Sequence, residues 1–112
     1  TMPSLAASRG AIVNVGANAA IKAGLGMGAY AASKSAVARF TEALAEEVKA
    51  AGVRVNAVLP SIVDTPANRA EMGEEDAAKW VKPVELAQVI AYLLSDAASA
   101  ITGASVPVVG RM

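Results

Sequence analysis

Two residue types that carry much of enzyme chemistry are missing from these 112 residues, which contain no cysteine and no histidine. The lack of cysteine excludes disulfide bonds, thiol nucleophiles and cysteine-bound metals. The lack of histidine excludes a Ser-His-Asp triad and metal ligation by imidazole. Any chemistry must therefore use tyrosine, lysine, serine, threonine or carboxylates, and no metal site is expected.

An excess of charge of one sign is also lacking, because 10 basic side chains balance 10 acidic ones. Nucleic acid requires a basic surface that neutralises phosphates, so no nucleic-acid partner is expected. No run approaches the roughly 18–20 apolar residues that span a bilayer. Residues 1–9 have no basic cluster leading into an apolar core and do not resemble a secretory signal. These absences favour a soluble, cytoplasmic protein with no membrane partner.

What the sequence does contain is a hydrophobic fraction of 54%, which is enough for a buried core. Apolar runs typical of buried strands alternate with segments of helical periodicity. In chain order they predict a strand at 11–15, a helix at 29–51, a strand at 53–59, a helix at 84–95 and a strand at 104–109. The polar residues 61–82 are expected to hold one or two short helices. This alternation indicates an α/β fold with parallel strands joined by right-handed crossovers.

The predicted long helix is amphipathic and ends at Gly52, where a C-terminal glycine is expected. Its apolar face consists of Val37, Leu44, Val48 and, between them, either Phe40 or Thr41. Three strands nevertheless make a thin sheet, since parallel sheets are normally larger and have both faces covered. Residues 1–5 look like the end of a helix that leads into the first strand. We therefore expect residues 1–112 to be the C-terminal half of a larger doubly wound domain.

Tyr30 and Lys34 lie four residues apart near the start of this helix, so they share one face. A free phenol titrates at about 10, and bringing its pKa to neutrality requires roughly 4 kcal/mol. One cation at about 4 Å in an effective dielectric of about 20 supplies approximately that energy. The pair is therefore able to donate a proton to a developing anion at neutral pH. By spacing alone, a surface tyrosine with an extended lysine is the commoner arrangement.

Three segments around this pair carry a family resemblance: residues 10–15 (GAIVNV), 29–36 (AYAASKSA) and 53–60 (VRVNAVLP). In this order and spacing they resemble the short-chain dehydrogenase/reductase family over essentially the whole chain. The resemblance implies a Rossmann-type fold that binds NAD(H) or NADP(H) and transfers hydride to a small-molecule substrate. It also implies a homo-oligomer formed through the long helix.

The resemblance implies a set of catalytic and cofactor-binding residues, with Tyr30 as the proton donor. Lys34 corresponds to the lysine that holds the nicotinamide ribose and lowers the pKa of the tyrosine. The implied cofactor-binding residues are Asn14, Tyr30, Lys34, Pro60, Ile62 and Thr65. Ile62 would contact the nicotinamide carboxamide through its backbone, and Thr65 through its hydroxyl. The family's glycine after the proline is Ser61 here, and Thr65 has a compatible second interpretation as a helix N-cap.

One position departs from the family's pattern. The catalytic serine of the family lies thirteen residues before the tyrosine, and Ala17 stands at that position beside the expected substrate. Loss of a transition-state hydrogen-bond donor typically lowers a rate by about 10²–10³. The protein is therefore either inactive or acts on a substrate that does not need this bond. A conjugated quinonoid acceptor is such a substrate, because it regains a stabilised ring system on taking a hydride.

Further segments resemble the dihydropteridine reductase branch of the family, which also lacks that serine. They are residues 16–20 (GANAA), 26–30 (GMGAY) and 64–69 (DTPANR), followed by Met72 and Trp80. This branch implies NADH-dependent reduction of quinonoid dihydropterin, with residues 66–82 as a flap and Trp80 as an aromatic wall. In the structural alternative, Trp80 is an ordinary packing residue and residues 68–69 are a solvated helix start.

The glycines at 24, 26 and 28 do not form a dinucleotide fingerprint, since they do not follow the first strand of a βαβ unit. The family's phosphate-binding loop would precede residue 1, so the chain by itself is expected to be inactive. Two alternative functions remain: reduction of another carbonyl or quinone, and a non-catalytic half-domain that acts in assembly.

Overall fold

The computed structural model describes the backbone of residues 2–16 and 27–112, and the side chains of these residues other than 6 and 27–34. In chain order the elements are α1 (Met2–Ser8), β1 (Ala11–Val15), α2 (Met27–Val48), β2 (Arg54–Pro60), α3 (Pro66–Met72), α4 (Pro83–Leu94) and β3 (Ser105–Val108). The predicted strands and helices are confirmed, with small shifts at their ends. The largest shifts are at α2, which begins two residues earlier than predicted and closes in a 3-10 turn over Lys49–Ala51.

The three strands form one parallel sheet in the order β1-β2-β3. β1 pairs with β2 from Ala11 opposite Arg54 to Val15 opposite Val58. β2 pairs with β3 over the last four residues of each, ending with Pro60 opposite Val108. The predicted α/β architecture of three parallel strands with flanking helices, as in a Rossmann-type sheet, is therefore confirmed.

The core lies between β2 and α2. Every residue of β2 from Val55 to Pro60 is buried, as expected for a central parallel strand with both faces covered. From residue 35 onward, the buried residues of α2 are Thr41, Ala45 and Val48, whereas Phe40 is 60% exposed. Thr41, and not Phe40, therefore faces the sheet.

Gly52 turns the chain from α2 into β2. Its φ of 78° lies in the left-handed region, which favours glycine, and its N–H donates to the Lys49 carbonyl. This C-terminal glycine was predicted, and it places the end of α2 beside the start of β2. The first turns of α2 therefore lie toward the opposite, carboxyl end of the sheet.

Two side chains of β2 bind the connection that leads from α4 to β3. The Arg54 guanidinium donates to the carbonyls of Leu93 at 2.8 Å and Ala98 at 2.9 Å. The Asn56 amide is fully buried, donates to the Ile101 carbonyl at 3.0 Å and accepts from the Ala104 N–H at 3.0 Å. These bonds anchor β3 against the central strand.

Replacing Asn56 by leucine, which is similar in size, is expected to destabilise the fold. The Ile101 carbonyl and the Ala104 N–H would lose their partner in a buried position, which costs about 2–4 kcal/mol in all. Urea unfolding of the two proteins measures this difference. Ser105→Ala is the control, because the buried Ser105 hydroxyl has no hydrogen-bond partner among the described residues. Equal stabilities of the leucine variant and the wild type would contradict the anchoring role.

Candidate active site

The carboxyl ends of the three parallel strands meet at one edge of the sheet, where α/β sheets generally bind ligands. The first turns of α2 stand at this edge. A Cβ atom added at Gly16, just after β1, would lie 3.2 Å from Cγ1 of Val37, ten residues into α2. The segment of α2 before Val37, which carries Tyr30 and Lys34, therefore lies at the carboxyl edge. The helical backbone puts these two residues one turn apart on one face.

The structure describes the four predicted site residues before β2 to different extents. Ala17 lies outside the described residues, and Tyr30 and Lys34 are described by their helical backbone alone. Asn14 is in β1, and its side-chain amide donates to the hydroxyl of Thr41 on α2 at 3.2 Å. The Asn14 amide thus joins β1 to the helix, and it gives the buried Thr41 hydroxyl a hydrogen-bond partner.

The turn after Pro60 is held by backbone hydrogen bonds on both sides. The Ser61 N–H donates to the carbonyl of Val108, the last residue of β3, at 3.0 Å. The Ile62 carbonyl accepts from Val81 at 2.9 Å, and the Asp64 N–H donates to the Val81 carbonyl at 2.7 Å. In contrast, the N–H groups of Ile62, Val63 and Thr65 have no acceptor within the described part of the chain. Relative to those described residues, the turn therefore presents free donors, including the Ile62 N–H, from a fixed backbone.

Thr65 is the N-cap of α3, as its second sequence interpretation predicted. Its hydroxyl oxygen accepts from the Asn68 N–H at 3.1 Å, and Pro66 occupies the first helical position. Because the oxygen accepts this bond, the hydroxyl hydrogen remains available as a donor. The Asn68 amide in turn donates to the Val63 carbonyl at 2.8 Å. The cap therefore joins α3 to the turn that follows β2.

A bidentate ion pair spans the same junction. Arg69 Nε lies 2.6 Å from Asp64 Oδ1, and Arg69 Nη2 lies 2.9 Å from Asp64 Oδ2. The hydrogen bonds from this guanidinium lower the pKa of Asp64 below its ordinary value, so the pair is ionised at neutral pH. Residues 68 and 69 are therefore a partly exposed helix start whose two side chains also bind the turn.

A cavity of about 570 Å³ lies between α3 and the last residues of the chain. Ile62, Met72, Trp80 and Met112 contribute to its lining, as do charged residues at its rim. Trp80 is 3% exposed, so it is a packed residue and also part of the cavity wall. The two sequence interpretations of Trp80 are therefore compatible in this fold.

Arg111, which the sequence analysis did not single out, supports this wall. Its guanidinium donates to the Trp80 carbonyl at 2.8 Å and to both carboxylate oxygens of Glu85 at 2.8 and 3.0 Å. Gly110 permits the approach, since a Cβ there would lie 2.8 Å from the Lys79 carbonyl oxygen. The only local signal was a glycine next to an arginine near the chain end.

Within the described ranges, no helix is long and apolar enough to cross a membrane. The same residues contain no group of three or more acidic side chains placed to hold a metal ion.

Comparison with known proteins agrees with this geometry. Residues 1–110 match a family model described as Enoyl-(Acyl carrier protein) reductase. The chain is 37% identical over 111 residues to the 3-oxoacyl-[acyl-carrier-protein] reductase FabG of Pseudomonas aeruginosa, covering 92% of this chain and 45% of that protein. The chain spans about half the length of the curated relatives that it matches.

Solved structures show the same relationship. A short chain dehydrogenase/reductase family oxidoreductase from Burkholderia thailandensis has a TM-score of 0.77 and 38% identity, covering 96% of this chain and 46% of that one. A 4-hydroxyisoleucine dehydrogenase complexed with NADH has a TM-score of 0.78 and 26% identity, covering 97% and 50%. The chain therefore belongs to the short-chain dehydrogenase/reductase family.

The Glu85–Arg111 pair makes stability depend on pH in the acidic range. The Arg111 guanidinium, together with the Lys82 N–H, lowers the pKa of Glu85 to about 2 from an ordinary value of 4.5. A lowered pKa stabilises the fold fully above pH 4.5, and the contribution is lost as the pH falls toward 2. Because the Arg111 and Glu85 side chains are 48% and 35% exposed, this contribution is small. Glu85→Gln is therefore expected to lower the thermal midpoint only slightly at pH 7 and to converge with the wild type in acid. A difference in thermal midpoint between the two proteins that stays constant from pH 7 to pH 3 would contradict this role.

Proposed function

We propose that residues 1–112 are the C-terminal half of a Rossmann-type NAD(P)-binding domain in a reductase. The observation that carries the proposal is the fixed turn after β2, at the carboxyl edge beside the first turns of α2. Its donors, the Ile62 N–H and the Thr65 hydroxyl, fit a nicotinamide carboxamide, whose oxygen accepts hydrogen bonds. The bound NADH of the 4-hydroxyisoleucine dehydrogenase supports the choice of ligand.

When bound, the reduced dinucleotide supplies the hydride. In the proposed reaction Tyr30 donates its phenolic proton to the anion that develops on the substrate. Lys34, one helical turn further on, holds the nicotinamide ribose and lowers the pKa of the phenol. Pro60 ends the central strand at this point, so the turn that binds the carboxamide begins at a fixed place.

For the substrate we propose a conjugated acceptor such as quinonoid dihydropteridine. The support is Ala17, because a simple ketone is polarised by the serine hydroxyl that this sequence lacks. Met72, an exposed apolar side chain in the cavity beside Ile62, is available to contact a flat ring. The second candidate is the reduction of an ordinary carbonyl compound, which the similarity to the 3-oxoacyl-[acyl-carrier-protein] reductase FabG favours.

We also propose that the protein is a cytoplasmic homo-oligomer that assembles through α2. Phe40 supports this assembly, because a large aromatic side chain that is 60% exposed on a helix is suited to contact with a second copy.

Tyr30→Phe tests the proton donor in the native protein that contains this chain. Loss of a general acid is expected to lower kcat by about 10²–10⁴ while NADH binding changes little. The assay follows NADH oxidation with quinonoid dihydropterin. Tyr92→Phe is the matched control, since Tyr92 lies exposed on α4. Activity of the Tyr30→Phe variant equal to that of the wild type would contradict the assigned role.

Ala17→Ser separates the two substrate classes. A restored hydroxyl is expected to raise the rate with a simple ketone by up to about 10². The rate with quinonoid dihydropterin is expected to change little, because that acceptor needs less polarisation. Ala17→Gly controls for a change of side chain that adds no hydroxyl. A large gain with both substrates would overturn the argument for a conjugated acceptor.

A further inference from the structure

The Asp64–Arg69 ion pair joins the turn after β2 to α3. Asp64 is the last residue before the cap of α3, and Arg69 is four residues beyond the cap. The ion pair therefore links the residues on either side of the Thr65 cap, and it holds the first turn of α3 near the end of β2. Both carboxylate oxygens and two guanidinium nitrogens take part, a geometry that fixes the orientation of both groups.

Arg69 also binds toward the far end of α3. Its Nη1 lies 3.3 Å from Glu74 Oε1, and its carbonyl accepts from the Gly73 N–H at 2.9 Å. Asp64 is fixed from the other side, because its N–H donates to the Val81 carbonyl. Arg69 thus contacts a residue before the seven-residue helix α3, Asp64, and a residue after it, Glu74.

The exposure of the pair argues against a role in overall stability. The Arg69 side chain is 39% exposed and that of Asp64 is 22% exposed, and ion pairs this open to water add little to the stability of a fold. What the pair does fix is local geometry. Its two bonds restrict the backbone that carries two donors of the turn, the Ile62 N–H and the Thr65 hydroxyl.

We propose that Asp64 and Arg69 are a positioning pair, which holds the turn 61–65 in the conformation that binds the nicotinamide carboxamide. This inference rests on the proposed function. Neither side chain is assigned contact with the cofactor or the substrate. They act through the positions of Ile62 and Thr65, so their loss weakens cofactor binding and spares the proton transfer.

The test compares Arg69→Met and Arg69→Lys with the wild type, using the native protein that contains this chain. Arg69→Met is expected to raise the Kd and KM for NADH or NADPH about tenfold, because the donors are misplaced, with kcat within about threefold. Arg69→Lys keeps the charge but cannot form two parallel hydrogen bonds to the carboxylate. Its Kd and KM are therefore expected to lie between those of the wild type and those of Arg69→Met. Amide hydrogen exchange at residues 62–65 is expected to become faster in Arg69→Met.

Two further variants separate positioning from a general effect of removing charge. Arg39→Met removes an arginine–carboxylate contact of 2.9 Å, to Glu42 on the exposed face of α2, and is expected to leave Kd unchanged. The double variant Asp64→Asn/Arg69→Met is expected to have the same Kd for NADH or NADPH as Arg69→Met alone, because the two residues act as one unit.

Two outcomes overturn the inference in distinguishable ways. A wild type that binds NADH or NADPH, with an Arg69→Met variant that binds equally well, contradicts the positioning role alone. A folded wild type that binds neither dinucleotide contradicts the proposed function and the positioning role with it. A parallel loss of kcat and thermal stability in Arg69→Met, with unchanged Kd, also contradicts positioning.

Discussion

The rest of the structure depends on the position of β2 between two parallel neighbours. The register places Val15 beside Val58 and Val108 beside Pro60, so all three segments leave the sheet at one edge. At the other end, Arg54 and Asn56 bind the connection that leads into β3. Because the strand is buried and bonded on both sides, the turn that follows it starts from a fixed point. That point is where we propose the cofactor binds.

Residues 61–82 are polar in composition, but they are attached to the rest of the fold at several points. The segment is attached near its start by the Val63–Val81 bridge and the Asp64–Arg69 pair, and near its end by Arg111. Each attachment joins residues that lie at least five positions apart. The base of the proposed flap is therefore fixed, while the outer residues of α3 stay exposed.

Local patterns predicted most of the fold because strands, caps and glycine turns depend on neighbouring residues. The strand at 11–15, the glycine cap at Gly52 and the N-cap at Thr65 are such cases. The choice between Phe40 and Thr41 was not predictable, because it depends on the Asn14 amide, 27 residues away from Thr41. The partners of Arg111 are likewise distant in sequence. The roles proposed for Tyr30 and Lys34 rest on the family resemblance, because spacing alone favours a surface pair.

The central claim, that the turn after β2 holds a nicotinamide, is tested most directly by the fluorescence of Trp80 during titration of the native protein with NADH and NADPH. Trp80 is buried next to Val81, which pairs with this turn, so a bound dihydronicotinamide is close enough to accept its excitation energy. This claim predicts a saturable loss of tryptophan emission with at least one of the two dinucleotides, and a smaller loss in Trp80→Phe. An absence of saturable quenching with both, or equal quenching in Trp80→Phe, would contradict it.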